Sequence, residues 1–167
     1  MRSFLALKVL LFTLMVPGTV IIYIPYVLIS AAGGLPISGF PLNLLAGLLI
    51  LAGMSIYLRC ARDFAVEGLG TPAPIDPPKK LVKGGLYRFS RNPMYQGVLL
   101  LLFAECLLYP LFHLWLYAAV IALAFQLFII FYEEPALRQC FGDCYADYCR
   151  KVPRWGFFWR FFSPNAE

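Results

Sequence analysis

Residues 79–97 read KKLVKGGLYRFSRNPMYQG, a basic segment with two adjacent glycines that lies between two long apolar regions. The triplet at 91–93 predicts a helix that begins at Pro93, because asparagine is a preferred N-cap and proline is favoured at the first helical position. The free N–H groups at such a helix start, with the positive end of the helix dipole, attract an anion. We therefore expect the functional site to lie around this segment.

The regions on either side are too apolar for a soluble protein. Apolar residues make up 61% of the 167 residues, and charged residues make up 14%. No charged residue occurs from 9 to 58, and Glu105 and His113 are the ionisable residues between 92 and 132 apart from tyrosines and Cys106. Apolar runs of this length are typical of bilayer-spanning helices. The predicted fold class is all-α, a polytopic membrane helical bundle.

We predict four transmembrane helices, over about 5–29, 42–61, 93–109 and 111–132, and a C-terminal amphipathic helix over about 135–150. The first run is longer than the apolar part of a signal peptide and a second span follows at once, so we expect it to be retained. Within the second span, small residues offer surfaces for close helix contact. They are Ala46, Gly47, Ala52 and Gly53.

The positions of the basic residues predict the topology. All fourteen Lys and Arg residues lie near the N-terminus, within 59–91 or after 137, and the short turns at 31–41 and 108–113 carry none. The positive-inside rule then places both termini on the cytoplasmic side of the inner membrane. We interpret the net charge of +5 as this topology signal, and expect the membrane rather than a nucleic acid as the partner.

The C-terminal helix is expected to begin at Pro135, because proline disfavours helical backbone at the residue before it, Glu134. Its apolar residues recur at helical spacing, at Leu137, Cys140, Phe141, Cys144, Tyr145 and Tyr148. The five cysteines are odd in number and show no metal-ligand spacing, so we expect free thiols. Cys140 and Cys144 are expected to pack on the apolar face of the helix and not to hold a metal.

Three features converge on the predicted cytoplasmic boundary: the basic segment, the helix start at Pro93, and the adjacent carboxylates Glu133 and Glu134. Carboxylates at the end of an apolar span are costly to bury unless they are paired or kept wet. A bound zwitterion would satisfy all three, with its carboxylate at the helix start and Arg91, and its ammonium at Glu133. Tyrosine rings would face a cation. S-adenosylmethionine, an amino acid with a sulfonium, has this chemistry.

Five ordered motifs between about 70 and 156 resemble the isoprenylcysteine carboxyl methyltransferases, to which the phospholipid N-methyltransferases are related. The motifs are LVKGGLYR at 81–88, RNPMYQG at 91–97, EE at 133–134, FGDCYADY at 141–148 and VPRW at 152–155. The resemblance implies an integral membrane methyltransferase that uses S-adenosylmethionine on a lipid or prenylated substrate. From the chain length we expect one domain over 1–167, divided into a helical hairpin (1–62), a cytoplasmic linker and cofactor loop (63–92) and a catalytic half (93–167).

The resemblance assigns the site residues. Those expected to bind the cofactor are Lys79, Lys80, Leu81, Val82, Tyr87, Arg91, Asn92, Pro93, Met94, Tyr95 and Glu133. Those expected to take part in catalysis are Tyr95, Glu134, Tyr148 and Arg154, with Glu134 or Tyr148 as proton acceptor for an amine substrate. No metal is expected. The transfer is an in-line displacement at the sulfonium methyl, which a dry and oriented site favours.

One position departs from the carboxyl methyltransferase pattern. Those enzymes place an arginine four residues before the first glutamate of the pair, where this sequence has Ile129. A substrate carboxylate would then need Arg154 or Arg91 as its counter-charge. Two alternatives stay open: a phospholipid N-methyltransferase, and a non-catalytic four-span scaffold. Glu105 and His113 are expected to be interfacial or paired with each other and not catalytic.

Overall fold

The computed structural model describes residues 15–33, 38–64, 66 and 80–156. Every regular element in these ranges is helical, which confirms the all-α fold class. We number the α-helices in chain order. The elements are a π-turn (Thr19–Tyr23), α1 (Ile24–Ala31), α2 (Leu42–Asp63), a 3-10 turn (Gly85–Arg88), α3 (Pro93–Leu108), α4 (Phe112–Phe128), a second π-turn (Ile129–Glu133) and α5 (Glu134–Lys151).

Helices α2, α3 and α4 begin within one residue of the predicted starts of spans two, three and four. Two described helices are long and apolar enough to cross a membrane: Leu42–Asp63, and the continuous helix Phe112–Lys151. The apolar helices Met15–Ala31 and Pro93–Leu108 are shorter. A helix of 16 residues is about 24 Å long, against about 30 Å of bilayer core. Four spans therefore stay a prediction. The start of span one and the linker at 67–79 lie outside the described residues.

Helices α2 and α3 pack antiparallel at very close range. A Cβ added at Gly53 would lie 2.8 Å from the carbonyl oxygen of Gly97 and 2.9 Å from Leu101 Cγ, so the two backbones meet where neither residue has a side chain. Ala46 lies on the same face and is fully buried. The other two predicted small residues are not in the contact, because Gly47 faces open space and Ala52 is exposed.

The first helix, by which we mean the whole helical segment Met15–Ala31, packs against α2, α3 and α4 near the α2–α3 contact. The Tyr117 hydroxyl of α4 donates a hydrogen bond of 2.9 Å to the carbonyl oxygen of Val20. Val20 and Ile21 also pack on a buried cluster from α2 and α3, formed by Tyr57, Val98 and Leu102. Three helices thus hold this one in place.

The expected break at Glu134 is wrong. Glu134 has helical dihedral angles (φ −62°, ψ −43°), and α4 continues through the π-turn into α5. Its backbone N–H donates to the carbonyl oxygen of Ile129, five residues back. Proline removes one backbone donor and crowds the preceding turn. A π-turn just before Pro135 widens that turn, and Pro25 follows the π-turn Thr19–Tyr23 in the same way.

Helix α5 is kinked at Gly142, whose backbone angles (φ 50°, ψ −128°) are not helical. Tyr145 and Tyr148 are buried, together with Val152, but Cys140 and Cys144 are exposed. The expected packing of Cys140 and Cys144 is wrong, because the face that packs runs through Leu137, Phe141, Tyr145 and Tyr148 and leaves both cysteines outside it. All five cysteines are free thiols, as predicted.

The described basic residues lie together at one end of the bundle. They are found in the last turns of α2, in the loop at 80–92, in α5 and in the segment at 152–156, which contact one another. Glu105 lies near the opposite end of α3, where its Oε2 atom is buried with no hydrogen-bond partner in the described part of the chain. His113 is exposed and touches Phe112 edge to face. In the described part of the chain, no hydrogen bond joins Glu105 to His113, so their expected pairing is not seen there.

Candidate active site

A cavity of about 630 Å³, including the space at its open mouth, lies at the basic end of the bundle. Its walls come from the first helix, α2, the loop at 80–92, α3, α4 and the π-turn before α5. The lining residues are Val16, Pro17, Val20, Tyr57, Phe64, Tyr87, Arg91, Asn92, Met94, Tyr95, Val98, Phe125 and Glu133.

Aromatic rings form much of the wall. Tyr95 and Phe125 lie with ring centroids 4.7 Å apart, and Phe64 meets Tyr87 edge to face at 5.6 Å. Paired rings of this kind hold each other in fixed orientations. Val16 lines the cavity and is 49% exposed, so the cavity opens beside the first helix. The cavity thus offers rigid π-faces and an opening on an apolar surface.

Glu133 is the carboxylate of the cavity. The hydroxyl of Tyr95 donates a hydrogen bond of 2.8 Å to its Oε2 atom. Burial raises the pKa of Glu133; the Tyr95 hydrogen bond opposes this, and the nearby charge of Glu134 adds to it. A carboxylate held in this way lacks a cationic partner in the described structure, and a ligand ammonium would supply one.

Arg91 is the cation of the cavity wall. Its Nη1 donates to Glu134 Oε1 at 2.9 Å and contacts Cys149 Sγ at 3.0 Å. Its Nε atom is buried and has no hydrogen-bond partner among the described residues. A buried N–H group without an acceptor is costly, so a ligand that supplies an anionic oxygen there would be stabilised.

Glu134 faces away from the cavity and is held by two arginines. Besides Arg91, it accepts hydrogen bonds from Arg154 Nε at 2.7 Å and from Arg154 Nη2 at 2.9 Å, one to each carboxylate oxygen. Burial alone would raise the pKa of Glu134, but the Arg154 hydrogen bonds and the charges of both arginines outweigh it and hold the pKa below its usual range. Glu134 is therefore ionised and fully engaged at neutral pH.

The segment at 152–156, which we call the C-terminal strap, fastens the loop that carries Arg91. The carbonyl oxygen of Pro153 accepts from the Arg91 N–H at 3.0 Å. The carbonyl oxygen of Arg154 accepts from Ser90 Oγ at 3.1 Å and from Asn92 Nδ2 at 3.2 Å. Gly156 leaves no room for a side chain, since a Cβ there would lie 2.5 Å from the Phe89 carbonyl oxygen. Trp155 joins the strap to α4 by a hydrogen bond of 2.6 Å to Gln126.

The predicted helix start is where the sequence placed it, but its cap differs. Helix α3 begins at Pro93, with Asn92 as N-cap residue. The Asn92 side chain makes no capping hydrogen bond and instead donates to the strap. Its backbone N–H donates to Ser90 Oγ at 3.2 Å. Asn92 therefore links the loop to the strap and does not cap the helix.

The cavity brings together six of the residues expected to bind a cofactor: Tyr87, Arg91, Asn92, Met94, Tyr95 and Glu133. Four others do not line it. Pro93 is buried at the helix start, Val82 packs on Cys60 and Tyr87, Leu81 packs on the Tyr145–Tyr148 cluster, and Lys80 is exposed. Lys79 lies outside the described residues.

Of the four residues expected to take part in catalysis, one lines the cavity and three do not. Tyr95 lines the cavity, and Glu134 and Arg154 pair with each other outside its lining. Tyr148 is buried, and its hydroxyl donates to the carbonyl oxygen of Tyr87 at 2.7 Å. Burial raises the pKa of Tyr148. In this arrangement the Tyr148 hydroxyl holds the loop at 80–92 and does not face the cavity.

Sequence reasoning missed the apolar lining. Val16, Pro17, Val20, Val98 and Phe125 come from three helices whose sequences are apolar all round, and no local signal marks which residues face a cavity. Tyr57 had a signal, because a hydroxyl within an apolar span requires a polar partner or a polar cavity. Phe64 follows α2 directly and had none.

In the part of the chain that the structure describes, the fold is all-helical, two helices are long and apolar enough to cross a membrane, and a cavity with charged residues lies at one end. Residues 42–144, more than half of the chain, match the family model described as phospholipid methyltransferase. The chain therefore belongs to the phospholipid methyltransferase family, which confirms the resemblance to this superfamily, and it is a membrane methyltransferase. Comparison with curated proteins and with solved structures gave no match.

Proposed function

We propose that this protein transfers a methyl group from S-adenosylmethionine to an amphiphilic, lipid-like acceptor at the cytoplasmic face of the membrane. One observation carries the proposal. Arg91, whose Nε has no hydrogen-bond partner among the described residues, and Glu133, whose carboxylate has no cationic partner there, line the same cavity. A zwitterionic amino-acid group complements both.

The residues present fit such a cofactor. Arg91 Nε would donate to its carboxylate, and Glu133 would accept from its ammonium. The rings of Tyr87, Tyr95 and Phe125 offer faces to a sulfonium and to an adenine. When bound, S-adenosylmethionine supplies an electrophilic methyl on sulfur. The work of the protein is then to orient the acceptor, exclude water and supply counter-charges.

The nature of the acceptor depends on whether a proton must be removed. Glu134 is engaged by two arginines and its pKa is held low, so it is a poor base. The Tyr148 hydroxyl donates a hydrogen bond to the backbone carbonyl oxygen of Tyr87 and does not face the cavity. A carboxylate or thiolate acceptor needs no base, and this favours the isoprenylcysteine-carboxyl type of reaction.

A phospholipid amine is the second candidate, and one position favours it. Ile129, where carboxyl methyltransferases place an arginine, is fully buried and provides no cation for a substrate carboxylate. An amine would have to give its proton to Glu133, which the proposal already assigns to the cofactor ammonium. For this reason the carboxylate acceptor stays first.

The acceptor tail would reach the cavity beside the first helix. Entry between spans three and four was the expectation from sequence, but there Val20 packs on Val98 and is bonded to Tyr117 of α4. Val16 is the exposed member of the cavity lining. A tail that lies along this helix would remain in the acyl region while its head group reaches the methyl donor.

The test is methyl transfer by the purified protein in nanodiscs. Methyl-labelled S-adenosylmethionine is added with either phosphatidylethanolamine or a prenylated cysteine, and label is counted in the lipid extract. We expect label in the prenylcysteine. Label in phosphatidylethanolamine would select the second candidate.

The assay needs one variant and one binding measurement. Glu133→Gln should lose binding of S-adenosylhomocysteine by calorimetry and lose turnover, while Asp147→Asn, an exposed carboxylate paired with Arg150, should change neither. A wild-type protein that binds no S-adenosylhomocysteine and labels neither acceptor would overturn the proposal and leave the scaffold alternative.

A further inference from the structure

Arg154 is linked to Arg91, a residue of the cavity wall, through Glu134. Its Nε and Nη2 atoms occupy both oxygens of Glu134, and the same Glu134 Oε1 accepts from Arg91 Nη1. A guanidinium is planar, so fixing one terminal nitrogen also limits the direction in which Nε points. The contacts of Glu134 and Cys149 hold the Nη1 end of Arg91, a residue that lines the cavity, and leave its Nε without a partner among the described residues.

We propose that Glu134 and Arg154 are positioning residues, which orient the Arg91 guanidinium so that its Nε binds the carboxylate of the methyl donor. This inference rests on the proposed function. It gives both residues a role different from the catalytic one expected from the sequence motifs, since neither lines the cavity.

The orientation of Arg91 depends on the C-terminal strap, because Arg154 belongs to it. Arg154 uses its backbone oxygen to hold Ser90 and Asn92, the two residues that flank Arg91, and uses its side chain to hold Glu134. One residue thus fixes both the backbone and the side chain of Arg91. Glu134 also separates two positive charges that would otherwise repel each other across the wall.

The test compares two ligands that differ by one group. S-adenosylhomocysteine carries the carboxylate, and its decarboxylated analogue carries the same adenosine and ammonium without it. In the wild-type protein the analogue should bind about 10- to 100-fold more weakly, the range of one charge-assisted hydrogen bond. In Glu134→Gln and in Arg154→Ala this ratio should fall towards one, because affinity for S-adenosylhomocysteine falls and affinity for the analogue does not.

A merely structural role gives a different result. If Glu134 only stabilises the fold, both ligands lose affinity by the same factor, and the unchanged ratio would overturn the inference. Asp147→Asn is the matched control on the same helix and should keep the wild-type ratio. Arg154→Lys keeps the charge but not the two-point contact, so it should give an intermediate ratio.

The outcomes separate the two proposals. A wild-type protein that binds neither ligand refutes the proposed function. A wild-type protein that binds both, with the same ratio in every variant, refutes the positioning role alone. If Glu134→Gln fails to fold, as judged by its thermal unfolding, Arg154→Lys decides, and a wild-type ratio in that variant also counts against positioning.

Discussion

The close contact of α2 and α3 allows a sharp test of how the site is held together. At Gly53 a Cβ would lie 2.8 Å from the Gly97 carbonyl oxygen and 2.9 Å from Leu101 Cγ. One of the two atoms belongs to the backbone and cannot rotate away. To reach an ordinary contact of about 3.4 Å the helices would have to separate by about 0.6 Å. Gly53→Ala therefore overpacks the interface, and Gly53→Val does so more strongly.

Overpacking of this kind costs about 1–3 kcal/mol. For a protein of this size, each kcal/mol corresponds to about 2–4 °C in the melting temperature. We expect Gly53→Ala to lower the melting temperature in detergent by about 2–12 °C, and Gly53→Val to lower it further. Cofactor affinity should fall as well, because Tyr57 and Val98, on either side of this contact, line the cavity.

Gly47→Ala is the matched control. Gly47 lies on the same helix, and a Cβ there would meet nothing within 4 Å. Replacing it with alanine should be neutral or stabilise the helix by up to about 1 kcal/mol, from helix propensity. The measurement is thermal unfolding of the three variants in one detergent. If Gly53→Ala and Gly47→Ala melt at the same temperature, the close contact does not exist and the reasoning fails.

Three further predictions follow from single observations. The ion pairs of Glu134, whose pKa is lowered on folding, contribute stability that is present above the unfolded pKa of about 4.3 and lost as pH falls through the folded pKa. The difference in the free energy of unfolding between wild type and Glu134→Gln, measured by chemical denaturation, should thus be constant from about pH 6 to 8 and shrink below about pH 4. A difference that stays unchanged at low pH would contradict the lowered pKa. Gly142→Ala should destabilise the protein by about 1–2 kcal/mol, because alanine is strained at a φ of +50° although the space around the residue is open. An unaltered melting temperature would mean that the kink is absent. A maleimide reagent should modify the exposed Cys140 and Cys144 quickly and the buried Cys60 slowly, and equal rates by mass spectrometry would contradict this difference in burial.

The sequence predicted the helices well because apolar length is a strong and local signal. The bounds of α2 and α3 agree to within two residues with those predicted for spans two and three, and Pro93 opens its helix as expected. The prolines inside apolar runs were harder. Pro135 seemed to end a helix, yet a π-turn before it lets the helix continue, and the sequence contains no marker for a π-turn. Whether a chain breaks or widens at a proline depends on tertiary contacts on both sides.

The polar half of the site was predictable and the apolar half was not. Arg91, Tyr95 and Glu133 stood out as polar residues at the edge of apolar spans, and all three line one cavity. The lining from Val16 and Phe125 depends on how the helices pack, which a single apolar sequence does not reveal. Arg154 was expected near a substrate, but its partner Glu134 is 20 residues away and no local pattern pairs them.

The two adjacent glutamates illustrate why a motif underdetermines the roles of its residues. In sequence, Glu133 and Glu134 look equivalent, and either would serve as base, anion or ion-pair partner. Successive residues of a helix point about 100° apart, so one carboxylate faces the cavity and the other faces the strap. Desolvation then acts on the first, and two guanidinium groups act on the second.

This division of the pair has a consequence for substitutions. Removing the charge of Glu133 takes away a buried anion that a ligand is needed to balance, so the ligand-free fold should tolerate it. Removing the charge of Glu134 leaves Arg91 and Arg154 together without their shared counter-ion, so the fold itself should suffer. The same chemical change, one residue apart, is therefore expected to act on binding in the first case and on stability and orientation in the second.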